Sequence, residues 1–202
     1  MGEPPDPLDE RLVQVTLDLL DREGLSGLSL RQIARQAGVS HGAPLRHFRS
    51  LAQLLSEVAA QGFRLLSEAV EKSGSQLPAG TAPGERLAAA GRAYVESAVA
   101  HPGLFSLMFQ PERLDWSHPP LVAASSAAFE QLVHRVRAAQ DAGWRSTRST
   151  RVLAGSVWAA VHGLAMLWSQ GALAGPVPGA SLEAIVDTTL ELVLADPQGE
   201  IP

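Results

Sequence analysis

The chain has no cysteine, which removes disulfides, thiolate catalysis and cysteine-bound zinc together. Lysine is almost as scarce. Lys72 stands alone, and no glycine-rich loop precedes it, so a phosphate-cradling P-loop is excluded. There is no Gly-x-Ser-x-Gly elbow and no His-Glu-x-x-His pair. The histidines, at 41, 47, 101, 118, 134 and 162, show no ligand spacing, so no metal site is expected. No catalytic residue, cofactor or enzymatic activity is expected on these grounds. Strand-like alternation and internal repeats are also missing, which leaves an all-α chain. The start, Met-Gly-Glu-Pro-Pro-Asp-Pro, is acidic and proline-rich and has neither the positive charge nor the apolar run of a signal peptide. With the lack of cysteine, that suits a cytoplasmic protein.

What is present is a globular composition: 202 residues, 46% hydrophobic and 18% charged. The net charge of −5 is unevenly spread. Residues 25–64 carry Arg31, Arg35, Arg46, Arg49 and Arg64 against Glu57, a local +4 that leaves −9 elsewhere. A basic patch on an acidic body is the footprint of a protein that touches phosphate with one part only.

That patch coincides with a motif. Leu30 to Phe48 reads as two short helices joined by a tight turn. Ser29 is placed to cap the first helix, and Ile33, Ala34 and Ala37 give it an apolar face with small residues at the seam. Gly38 supplies the positive backbone angle that ends the helix, Val39 plugs the turn, and Ser40 is placed to cap the second helix. Pro44 falls late in that helix's first turn, where a missing amide hydrogen is tolerated. Two helices crossing through a short glycine turn make a helix-turn-helix, whose second helix enters the major groove of DNA. His41, Gly42, Ala43 and Arg46 lie where that helix would face the groove. Arg46 suits a guanine edge or a phosphate, Arg31 is a second phosphate candidate, and Arg49 is a weaker one.

Helix 1 is predicted at about 8–23 from Leu12, Val13, Thr16, Leu17 and Leu20, completing a three-helix head with no basic arm before it. Ser50-Leu51-Ala52-Gln53 is a capping box that opens a long helix to about Lys72. A Gly/Pro/Ser-rich loop follows over 74–84, then a helix through Leu87, Tyr94 and Val99 that breaks at His101-Pro102-Gly103. Leu104 to Phe109 is a short apolar helix, Gln110 to Pro120 a surface loop, and Phe129 to Val136 marks a helix ending near Gly143. Val152 to Trp168 is nearly all apolar, at the lower length limit for a bilayer span. The amphipathic helices on either side need a partner, so a helix buried all round in an interface core is the favoured reading. A closing amphipathic helix runs through Leu182, Ile185, Val186, Leu190 and Leu194.

Ile33-Ala34, Ala37-Gly38-Val39-Ser40, Gly42 and His47-Phe48 together resemble the DNA-binding signature of the tetracycline-repressor (TetR) family, over roughly residues 8–66. Trp158-Ala-Ala-Val-His162-Gly163, with His101-Pro102 before an apolar segment, resembles a subgroup with a Trp-x-x-x-His-Gly signature in its C-terminal domain. The resemblance implies a helix-turn-helix head over 1–50 and a helical effector-binding and dimerisation domain over 51–202, joined through helix 4. It implies that Ser40, His41, Gly42, Ala43, Arg46 and His47 lie at the DNA, with His47 on phosphate and Gly42 allowing close approach. It also implies a homodimer, held by the last two helices, on a palindromic operator. An effector pocket would draw on Tyr94, Phe105, Met108, Phe109, Trp116, Trp158 and His162, although Trp158 and His162 at a spacing of four also suit plain core packing. The expected function is a ligand-responsive transcriptional regulator, usually a repressor, released from DNA by a small apolar effector.

Two positions depart from the family. Leu45 stands where tyrosine is usual and Leu51 where lysine opens helix 4, and neither leucine can bind phosphate. They motivate an alternative, a regulator-fold protein with feeble DNA binding that acts through protein partners. A small enzyme or carrier using a cavity in the body is the remaining alternative.

Overall fold

The computed structural model describes residues 7–195; the acidic start and residues 196–202 lie outside them. The described chain is helical throughout: α1 Pro7–Glu23, α2 Leu30–Gln36, α3 Pro44–His47, α4 Leu51–Ser75, α5 Pro83–Ala100, α6 Pro102–Met108, α7 Pro119–Asp141, α8 Thr150–Ser169 and α9 Leu182–Leu194. A single 3-10 turn, Pro111–Arg113, lies between α6 and α7.

Two compact units form. The first takes the chain through Leu65 and then His101–Ser126; the second takes Leu66–Ala100 and the chain from Ala127 on. Compactness therefore draws a different line from the boundary expected at residue 50, because α6 and the start of α7 pack with the head. α4 and α7 each run unbroken from one unit into the other.

In the first unit α1 buries Leu12, Leu19 and Leu20, and it packs on α2, α3 and α6. Its buried Thr16 hydroxyl donates to the Leu12 carbonyl at 2.7 Å, which removes the cost of an unpaired polar group. α6 lies against α1 backbone to backbone: a β-carbon on Gly103 would sit 2.3 Å from the Leu20 carbonyl oxygen. The same helix fits a notch in α4, where a β-carbon on Gly62 would meet the Met108 sulfur at 2.7 Å. Gln110 to Pro120, expected as a surface loop, does lie at the surface, with Glu112, Trp116 and Ser117 exposed, but it is also pinned to α4. Leu114 is buried, the Asp115 amide donates to the Ser56 hydroxyl at 2.8 Å, and His118 Nε2 lies 2.8 Å from the Glu57 carboxylate. A proline-rich composition hides these long-range contacts.

In the second unit α5, α8 and α9 pack on one another around Leu87, Val95, Leu153, Val161, Val186 and Leu190. Gly91 permits the closest approach, since a β-carbon there would meet Leu190 at 2.6 Å. The buried Gln140 amide donates to the carbonyls of Arg145 and Arg148 and accepts the Thr150 hydroxyl at 2.7 Å, tying α7 to the start of α8. α8 is not buried all round within the chain. Leu153, Ala154, Val157, Val161, Leu164 and Ala165 are covered, whereas Val152, Ala159 and Leu167 are exposed. Among the described residues it is the one helix long and apolar enough to cross a membrane.

Candidate nucleic-acid interface

The motif is built from local hydrogen bonds. Ser29 is extended and its hydroxyl accepts the Gln32 amide at 3.3 Å, capping α2. At the other end Gly38 adopts a φ of +69°. Its amide bonds the Arg35 carbonyl and the Val39 amide bonds the Ala34 carbonyl, a Schellman closure. Val39 does not plug the turn from inside; it is half-exposed and lines the outer surface.

The second helix differs from expectation. Ser40 does not cap it, and His41, Gly42 and Ala43 form a turn ahead of α3 rather than its first turn. The reason is Pro44. A helix capped at Ser40 would close its first bond from the residue-44 amide, which proline lacks. The Ser40 carbonyl accepts the Ala43 amide instead, at 2.9 Å, and α3 starts with Pro44 in its first position. α4 then begins with the expected box. The Ser50 hydroxyl accepts the Gln53 amide at 3.2 Å, while Gln53 Oε1 reaches back to the Arg49 amide at 2.6 Å.

These elements present a concave surface of about 510 Å³ lined by Ser29, Arg31, Gln32, Ala34, Arg35, Val39 and His41. Arg31, Arg35, Arg46 and Arg49 are all exposed, and among the described residues none of them is engaged in a salt bridge. Arg64, the fifth arginine of the basic patch, is bound to Glu57 at 3.2 Å. Gly42 is exposed, and a β-carbon there would meet no atom of the chain within 4 Å, so the chain's own packing does not demand glycine. His47 turns Nδ1 onto the Asp9 carboxylate and joins α3 to α1. Arg35, Gln32 and Val39 were not singled out as site residues in the sequence. The four-residue spacing of Arg31 and Arg35 on one face of α2 is the signal that marks Arg35.

The residues proposed for an effector pocket fall into two groups, one in each unit. In the second unit the Tyr94 hydroxyl lies 2.9 Å from His162 Nδ1 and accepts the Trp158 indole N–H at 3.0 Å. An indole only donates, so the tyrosine proton points to Nδ1, and a neutral His162 carries its own proton on Nε2. Burial favours these forms: it holds the His162 pKa below its usual value and pushes that of Tyr94 up. The chain of rings continues from Trp158 to Phe129, edge to face at 6.0 Å, with Arg151 over Phe129 at 5.5 Å. In the first unit Phe105 and Met108 are buried, and Phe109 packs on Phe105 and edge-on to Phe63. Trp116 is exposed on the segment that follows.

Two family models match this chain. One, described as bacterial regulatory proteins of the tetR family, covers residues 12–58; the other, described as tetracyclin repressor-like, C-terminal domain, covers residues 87–193. The chain belongs to the tetracycline-repressor family. It is a transcriptional regulator of that family with an N-terminal helix-turn-helix head and a C-terminal helical domain. A protein of unknown function from Rhodococcus sp. RHA1 is 31% identical, with a TM-score of 0.80 over 96% of this chain and 97% of that one. The HTH-type transcriptional regulator BetI of Vibrio campbellii is 36% identical over 75 residues, and the match spans only 38% of that relative. The fatty acid degradation regulator FadR of Bacillus halodurans shares the fold at a TM-score of 0.75 with 13% identity.

Within the tetracycline-repressor frame, the Trp158–Gly163 segment lies inside the C-terminal match and Arg31 to Arg49 inside the N-terminal one. The two leucines that depart from the family pattern differ in setting. Leu45 is 54% exposed on α3, whereas Leu51 is half-buried at the start of α4.

Proposed function

We propose that the chain binds a palindromic operator as a homodimer and represses transcription until a small, largely apolar effector releases it. The observation that carries the reading is the set of exposed arginines, Arg31, Arg35, Arg46 and Arg49, on and beside a helix-turn-helix. Duplex phosphates are the anions such a set neutralises. Residues 1–50 act as the DNA-binding part and residues 51–202 as the effector and dimerisation part. The apolar faces left open by α8 and α9, with Val152 66% and Leu192 73% exposed, support dimerisation through those helices. Two-fold symmetry then sets the recognition helices about 34–36 Å apart, one turn of DNA. The aromatic residues around Tyr94, Trp158 and His162 suit an effector with one polar group and an apolar remainder. Its binding favours one tilt of α4, and its differential affinity for the two states supplies the release. The protein works in the cytoplasm.

The test is fluorescence anisotropy of the full chain on duplex from its own upstream region, across a salt series. Binding that weakens with salt along a linear log–log slope supports the reading. A second reading is favoured by Leu45 and Leu51: weak DNA binding, with action through a protein partner. Absence of salt-dependent binding to that duplex at low salt selects it.

A further inference from the structure

Leu45 is an apolar side chain, 54% exposed, on the four residues of α3. Its neighbours explain why it faces outward. Pro44 and Phe48 are buried and hold the helix to the head, so Leu45 and Arg46 share the opposite side. The segment that carries it suits a duplex-binding face: residues 29–50 contain four arginines and no carboxylate, and the Asp9 carboxylate that reaches α3 from α1 is engaged by His47. A leucine in such a place has no phosphate to bind. The floor of the major groove offers hydrogen-bond donors and acceptors at every base pair but one apolar group, the 5-methyl of thymine.

We propose that Leu45 is a specificity-determining residue that packs on a thymine 5-methyl in the major groove. This rests on the DNA-binding reading above and deepens it. Selectivity arises in two ways. The methyl contact rewards thymine, and a leucine laid over the exocyclic amine of cytosine or adenine leaves that group without its water partner. The position therefore trades a phosphate contact, which is blind to sequence, for a contact that reads it.

The experiment begins by selecting duplexes from a random library with the full chain. Each thymine of the enriched duplex is then replaced by deoxyuridine, which removes only the methyl. Affinities are measured for the wild type and for Leu45→Ala, with thermal unfolding to show that both are equally folded. One thymine, or one symmetry-related pair, is expected to lose about four-fold in affinity per methyl for the wild type. The same replacement should leave Leu45→Ala unaffected, the non-additivity that marks a direct contact. A uridine effect that persists in Leu45→Ala, or none at any position, overturns the proposal while the DNA-binding reading stands. A library that yields no enriched duplex defeats the DNA-binding reading, and this inference with it.

Discussion

Leu51 shows how one side chain sets an electrostatic response. It sits half-buried at the opening of α4, where the Ser50–Gln53 box already bonds the Gln53 and Arg49 amides. Leu51→Lys adds a cation without disturbing that box. It is expected to tighten binding at all sequences alike and to steepen the log–log salt dependence by about 0.9 per added phosphate contact. Equal or weaker binding across the salt series rejects this. Tyr94 sets a different response, because one hydroxyl serves both Trp158 and His162. Tyr94→Phe should cost about 1 kcal/mol in chemical denaturation, since partial exposure lets water replace part of what is lost. The folded chain resists protonating His162, so its pKa lies below the usual 6.5 of the unfolded chain. As pH falls through about 6.5, the unfolded state binds more protons and stability drops. Comparing denaturation at pH 7.5 and 5.5 should show part of that drop missing in His162→Gln.

At the level of helices, Pro44 decides the length of α3. Pro44→Ala restores an amide facing the Ser40 carbonyl, and α3 should extend back to His41. Hydrogen exchange reads this directly: the new residue-44 amide should be protected, and fast exchange there would show that the turn has another cause. α6 makes a harder demand on sequence. Gly103→Ala drives a β-carbon to 2.3 Å from a backbone oxygen, which cannot move without shifting α1, whereas Gly62→Ala meets the flexible end of Met108. Gly103→Ala is expected to cost about 1–3 kcal/mol in urea unfolding, and Gly62→Ala less. The reverse order would mean that α6 is held by its side chains and not by its backbone approach to α1.

Over the whole molecule, the charge and the uncovered apolar surface point to separate tasks. The net −5 includes a basic stretch over residues 25–64, which keeps phosphate attraction local. α8 covers one face within its own unit and leaves Val152 and Leu167 open, while α9 leaves Leu192 open. In a monomer, Leu192→Glu together with Val152→Glu costs almost nothing, because both sites already face solvent. In a dimer joined through these helices the pair of charges is buried and disrupts it. Light scattering should report a wild-type dimer and a double-variant monomer with unchanged helical circular dichroism. A dimer that survives both changes moves the interface elsewhere.

The sequence by itself determined those features whose cause is local. Ser29 caps α2, Gly38 ends it, and Ser50 with Gln53 opens α4, each because a short side chain or a missing β-carbon acts within a turn of itself. The helix order, the helix-turn-helix and the family signature follow from the same local rules and from apolar periodicity. What only the tertiary structure decided involves partners far along the chain. Asp9 on His47, Glu57 on His118, Ser56 on Asp115 and Leu20 against Gly103 leave no mark on spacing. The retreat of α3 to Pro44 lies between the two. The proline was visible, but that its missing amide fell at the one bond needed to start the helix emerged only once Ser40 had a carbonyl to satisfy elsewhere.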